Sequence, residues 1–117
     1  CIRCYRKSET IWYDCRGSET KYVATKAGGS SFENKYYVTQ DFVAQPTGST
    51  RYFSYHSRYK GNQVSNGLKL AENDRKQHNN TYHSGKAVAN KSYKLYCKCT
   101  GNGHTTSKST VTGKWTP

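Results

Sequence analysis

The stretch TIWYDCRGSETKYVATKAGG, Thr10 to Gly29, decides how the chain is read. In its first half Ile11, Tyr13 and Cys15 alternate with Trp12 and Asp14, the period of an extended segment that sends one row of side chains inward. This predicts a strand that delivers Cys15 to the core. In its second half Ser18 can N-cap a short helix with Glu19 in the first turn. Tyr22, Val23 and Ala27 would follow, with Gly28-Gly29 as the stop. This predicts a short helix, the one regular helix of any length.

From Phe32 onward the pattern is β. ENKYYVTQDFVA, TRYFSYHSRYKG, GLKLAEN, GKAVAN and SYKLYCKC are aromatic or β-branched segments. They are separated by QPTGS, GNQVSNG, NDRKQHNNTYHS and NKS, which are rich in turn formers. One helix followed by several strands predicts an α+β domain, with the helix packed on a four- to five-stranded antiparallel sheet. After Cys99 the run TGNGHTTSKSTVTGKWTP holds no acid and little apolar content. A single domain is therefore expected over residues 1–99, and a mobile, polar, basic tail over 100–117. That tail would be tied down only if Val111 or Trp115 met a surface groove.

The chain has 117 residues, enough for one core, and only 32% of them are hydrophobic. Mean hydropathy is −1.04. Aliphatic burial is thin, so the 11 tyrosines must supply much of the packing. A core this lean favours covalent help. Five cysteines and no methionine in a small lysine-rich chain read as a secreted domain. A start at Cys1 is expected either from removal of a leader or from an arbitrary boundary. The sequons at Asn79 and Asn90 fit the same route. No apolar run approaches the roughly 20 residues of a membrane span. The net charge of +12 attracts phosphate backbones, acidic membranes or acidic proteins, more weakly as salt rises.

Cys97 and Cys99 lie two apart on a strand and share a face, so one of them can meet Cys15 in the core. The preferred pairing is Cys15–Cys97 with Cys4–Cys99, leaving Cys1. The first bridge would close a long loop, worth on the order of 4 to 5 kcal/mol in the chain-entropy picture. The rival is zinc on CIRC and CKC. A structural zinc site pairs two C-x-x-C knuckles and the second here is one residue short, so no metal and no cofactor is expected.

YDCRG, then SETKYVATKAGG, with YKLYC some eighty residues later, resembles the small fungal guanyl-specific ribonucleases. It looks still more like the ribonuclease-like secreted effectors of cereal powdery mildew fungi, whose hallmark is Tyr-x-Cys near the mature N-terminus with a late cysteine partner. The resemblance spans about residues 10 to 99. It implies a microbial ribonuclease-like fold, and the chemistry of such an enzyme requires a base, an acid and a phosphate-binding cation. Carried over position by position, the base histidine falls on Asn34 and the catalytic glutamate on Ser54. The phosphate-clamping arginine falls on Lys69 and the acid histidine on Ala89. Asn34, Ser54 and Ala89 exchange no proton near neutral pH, while Lys69 can still bind phosphate as a point charge.

The resemblance therefore implies a catalytically inactive, secreted virulence effector. It would be a monomer delivered into the host cell cytoplasm, binding host RNA or a host plant protein and recognised by plant immune receptors. On TRYFSYHSRYKG, Tyr52, His56, Arg58 and Ser54 share one face, and with Lys69 they combine stacking rings with positive charge, the ingredients of single-stranded RNA binding. Two rivals remain. One is an active endoribonuclease with His56 and His83 as a displaced acid–base pair, although ordinary partly exposed histidines explain both residues more simply. The other is a cationic extracellular antimicrobial domain.

Overall fold

The computed structural model describes residues 8–15, 20–44, 50–102 and 109–117, with backbone alone for strand residues 13–15, 20, 50–51 and 100–102. Strand β1 (Glu9–Cys15) is followed by β2 (Thr20–Thr25), a single 3-10 turn (Gly29–Ser31), β3 (Lys35–Ala44) and β4 (Thr50–Tyr59). Then come β5 (Asn62–Gln63), β6 (Leu68–Ala71), β7 (His78–Thr81), β8 (Ser92–Asn102) and β9 (Ser109–Thr116). They form two antiparallel sheets. Sheet A has the order β1-β9-β3-β7 and sheet B the order β2-β8-β4-β5, with β6 also paired to β4.

The inner faces of the two sheets pack on each other. Sheet A contributes Ile11, Tyr36, Val38, Val111 and Trp115, and sheet B contributes Phe53, Tyr55, Leu70, Tyr93 and Leu95. This is a β-sandwich, and the expectation of an α+β, ribonuclease-like domain with a helix on the sheet is corrected. Among the described residues the helical content is the one 3-10 turn. The expected helix is instead β2, which pairs with β8 from Thr20↔Cys97 to Thr25↔Ser92. Thr20, Tyr22, Val23 and Thr25 are β-branched or aromatic, and Val23 stands out to solvent while Ala24 is buried. Propensity and period 2 agree once β8 offers a ladder. The expected cap at Ser18 and Glu19 lies outside the described residues.

Residues 109–117 are not a tail. Strand β9 lies in the middle of sheet A, with β1 on one side and β3 on the other. Val111 and Trp115 are buried and Gly113 faces inward between them. A Cβ on Gly113 would collide with the Thr39 carbonyl oxygen, so the strand can sit beside β3 only with glycine there. Close by, β3 carries an extra residue between Gln40 and Phe42. This bulge returns Val43 to the inner side and turns Phe42 outward.

Two smaller differences have local causes. GKAVAN is a turn rather than a strand, with Gly85 and Asn90 at positive φ. Its backbone bonds to Tyr93 Oη and Lys26 O instead of to a neighbouring strand. HNNT, read as part of a loop, is β7, pairing with residues 35–38 of β3. Asparagine-rich strands carry little propensity signal, and β3 recruits this one.

The prediction that tyrosine replaces aliphatic packing holds. Tyr36, Tyr55, Tyr82 and Tyr93 are all 2% exposed or less. A buried phenol needs a partner for its hydroxyl. Tyr36 donates to Asn66 O at 2.6 Å, Tyr55 to Gln40 Oε1 at 2.7 Å and Tyr93 to Lys86 O at 2.6 Å, while Tyr82 shares a 3.1 Å bond with Ser57 Oγ. Burial pushes the Tyr36 and Tyr82 hydroxyls far above the ordinary phenol range, so both stay neutral donors. Gln40 is itself tied through Nε2 to the carbonyls of Ala71 and Asp74. The sandwich is held by rings whose polar tips stitch the sheets together.

At the open end, Lys26 is 2% exposed. Its Nζ donates to Pro117 O at 2.9 Å and Lys35 O at 3.3 Å, and lies over the Tyr82 and Phe32 rings. At the β1 edge, the Trp12 amide donates to Tyr22 Oη at 2.9 Å. The Lys26 bonds tie the end of β2 to β3 and to the residue after β9, and the Trp12–Tyr22 bond ties β1 to β2. No helix among the described residues is long and apolar enough to cross a membrane.

Candidate functional site

The inward rows of β4 and β8 are core, so their outward rows form a surface by default. On β4 that row is Tyr52, Ser54, His56 and Arg58; on β8 it is Lys94, Tyr96 and Lys98; on β2 it includes Lys21; on β6 it includes Lys69. Register sets them side by side. Lys21 pairs with Tyr96, which pairs with His56; Lys94 pairs with Arg58; Lys98 and Lys69 flank Ser54. Among the described strand residues of this face there is no carboxylate.

The centre is a stack. The His56 and Tyr96 rings lie 5.3 Å apart at 23°. Arg58 Cζ sits 4.0 Å from the Tyr96 centroid and Lys21 Nζ 5.0 Å from it. Although Tyr96 faces outward, it is only 7% exposed, because these neighbours cover it. Its ring attracts and orients two cations that would otherwise repel each other. Arg58 Nε donates to His56 Nε2 at 2.8 Å. In this arrangement that ring nitrogen is the acceptor. Further along, Lys69 Nζ lies 4.5 Å from the Tyr52 centroid, and Tyr52 is 38% exposed.

The four residues expected to bind RNA or a partner, Tyr52, His56, Arg58 and Lys69, therefore share one face. Lys21, Lys94, Tyr96 and Lys98 complete it and were not singled out from sequence. The signal for three of them was available: in SYKLYCKC, Lys94, Tyr96 and Lys98 alternate with the inward Leu95 and Cys97. Lys21 was hidden by the helical reading of its segment.

The four positions aligned with ribonuclease catalytic residues do not form one cluster. Ser54 and Lys69 are neighbours on the face. Asn34 precedes β3 and reaches the Tyr82 carbonyl, and Ala89 lies in the turn against Gly28. His83 projects from the loop after β7, whose backbone bonds to Val64 and Lys86. His56 belongs to the stack on β4. Among the described residues no group of three His, Cys, Asp or Glu could hold a metal ion.

The cysteines differ from expectation. Cys97 is a fully buried thiol in the core, so the expected Cys15–Cys97 bridge lacks its second sulfur. Cys99 is the disulfide-bonded residue of the pair. Cys97 lies on the inner face of sheet B, register-paired with Tyr55 of β4. Cys4, the partner expected for Cys99, lies outside the described residues, as does the side chain of Cys15.

Away from this face, His78 Nε2 meets Asp74 Oδ2 at 2.7 Å where β7 begins. The hydrogen bond from His78 holds the Asp74 carboxyl below its ordinary range. The chain matches no family model, no curated protein and no solved structure.

Proposed function

We propose that this protein is a non-catalytic binding protein that engages single-stranded RNA through the outer face of sheet B, in the role of a secreted virulence effector. One observation carries the RNA reading. Lys21, Arg58, Lys69, Lys94 and Lys98 surround Tyr52, His56 and Tyr96 with no carboxylate among the strand residues described there. Cations at successive register positions suit a phosphate backbone, and an exposed ring suits a base. That pairing is sequence-tolerant because every base has a π-face. The stack supports it further, since Arg58 and Lys21 are already oriented on Tyr96 and lose less freedom on binding.

The effector role rests on the YDCRG and YKLYC motifs, on the cysteine content and on the charge. It no longer draws on a ribonuclease scaffold. Against a ribonuclease, His56 Nε2 is occupied by Arg58 and the aligned residue on the same face is Ser54, which is no general base.

Fluorescence anisotropy with a labelled 12-mer of single-stranded RNA, across a salt series, tests the reading. The expected result is binding whose log–log salt slope reports several phosphate contacts, at about 0.7 per contact, with intact RNA recovered afterwards. Absence of salt-dependent binding would overturn the RNA assignment, and cleavage would overturn the non-catalytic one.

A further inference from the structure

A cleft of about 390 Å3 opens where the β4–β5 hairpin turns. The turn residues Lys60 and Gly61 both have positive φ, 50° and 85°, the geometry of a tight two-residue hairpin. This sets Tyr59 and Asn62 side by side as a register pair. The opposite wall is the loop before β8. Tyr93 Oη donates to Lys86 O at 2.6 Å and accepts from the Val88 amide at 2.9 Å, which fixes that loop. Tyr93, buried beneath the cleft, backs the Tyr59 ring at 5.3 Å. Val88 remains 44% exposed, an apolar side chain held open on the wall. Lys86 and Lys91, both exposed, stand among the lining residues, and no acid does.

We propose that this cleft is a nucleotide subsite, taking one base against Tyr59 and Val88 with its phosphate between Lys86 and Lys91. Its size suits a small ligand, and its chemistry suits one with a flat ring and an anionic appendage. Asn62 supplies an amide that can meet the polar edge of a base. The cleft adjoins the proposed RNA face around the end of sheet B: Tyr59 follows the outward Arg58 directly, and the lining residue Gln63 pairs with Arg58, which pairs with Lys94. A strand lying along the outer face of sheet B would reach the cleft at its Arg58 end. The choice of a nucleotide as ligand rests on the RNA reading; the existence and chemistry of the cleft do not.

The test uses the full chain and two probes, the free mononucleotides AMP and UMP and the labelled RNA 12-mer. In 15N-resolved NMR, mononucleotide at about 10 mM, enough to fill a millimolar site, is expected to move the amides of Asn62, Lys86, Val88 and Lys91. Val88→Asp places a carboxylate on the wall. It should abolish those shifts and weaken the 12-mer about tenfold, the loss of one stacked base. Lys86→Glu with Lys91→Glu is the second variant, and it should give the same loss without touching the ring wall. Conversely, Lys69→Glu with Lys98→Glu should weaken the 12-mer and leave the mononucleotide shifts in place.

If the 12-mer binds but mononucleotides leave the cleft amides unmoved, the subsite is overturned and the face survives. The same follows if both cleft variants bind RNA like the parent chain. If mononucleotides shift the cleft while the 12-mer shows no salt-dependent binding, the face fails and the subsite stands.

Discussion

The outer faces of the two sheets are built on the same alternation and carry different chemistry. On sheet A, Trp12, Thr112 and Phe42 line up across β1, β9 and β3, with the two rings 54% and 56% exposed. That row is neutral. On sheet B the corresponding rows hold Lys21, Arg58, Lys69, Lys94 and Lys98 around three rings. Inside, both sheets bury every second residue, mostly aromatic or branched, with Gln40, Ser57, Cys97 and Gly113 among them. Packing constrains the inner rows of both sheets alike, whereas the outer rows differ: sheet A mixes the exposed Lys35 and Lys114 with the exposed Asp41, and sheet B sets five cations around its rings with no carboxylate among the described strand residues.

The largest expected effect lies in the centre of sheet A. Trp115→Ala should destabilise the fold by about 4 kcal/mol in a denaturant melt, because it empties a buried indole site on the central strand. Melting like the parent chain would return β9 to the status of a tail. Next comes the contrast between faces. Lys69→Glu with Lys98→Glu should leave the melt within about 0.5 kcal/mol, as for surface changes generally. It should also flatten the RNA salt slope by about 0.7 per cation removed. Trp12→Ala on the opposite face should leave RNA binding unaltered. An equal loss from both variants would erase the distinction between the faces.

Tyr52→Ala sharpens the same comparison on a smaller scale. It should weaken RNA about tenfold through one lost stack and leave the salt slope as it was, since no cation is removed. The smallest effect belongs to Asp74. Its carboxyl sits below the ordinary range, so the Asp74–His78 contact stabilises the fold above the unfolded carboxylate pKa and is lost as pH falls through the lower folded value. Asp74→Asn should cost less than about 1 kcal/mol at neutral pH. Its difference from the parent should vanish in melts well below about pH 4, and a difference that grew on acidification would reverse the assignment.

Much of this architecture is legible in single segments. Strands β1, β3, β4, β6 and β8 follow from alternation in IWYDC, KYYVTQDFVA, TRYFSYHSRY, LKLA and SYKLYC. The common face of Tyr52, His56 and Arg58 follows from the same period. β2 was misread because Tyr22, Val23 and Ala27 satisfy a helical spacing as readily as Tyr22 and Ala24 satisfy an extended one. β9 was missed because serine, threonine and glycine surround Val111 and Trp115 and dilute the alternation that is present.

By itself, the amino-acid order determined which segments are extended, that tyrosine carries the core, and that the surface is basic, because these depend on local period and composition. Only the tertiary structure decided that β8 rather than a helical turn claims residues 20–25, that β9 enters between β1 and β3, and that Cys97 stays a thiol while Cys99 is bridged. The physical reason is that strand partners are chosen by burial and hydrogen-bond satisfaction across the whole molecule, and neither is a property of any one segment.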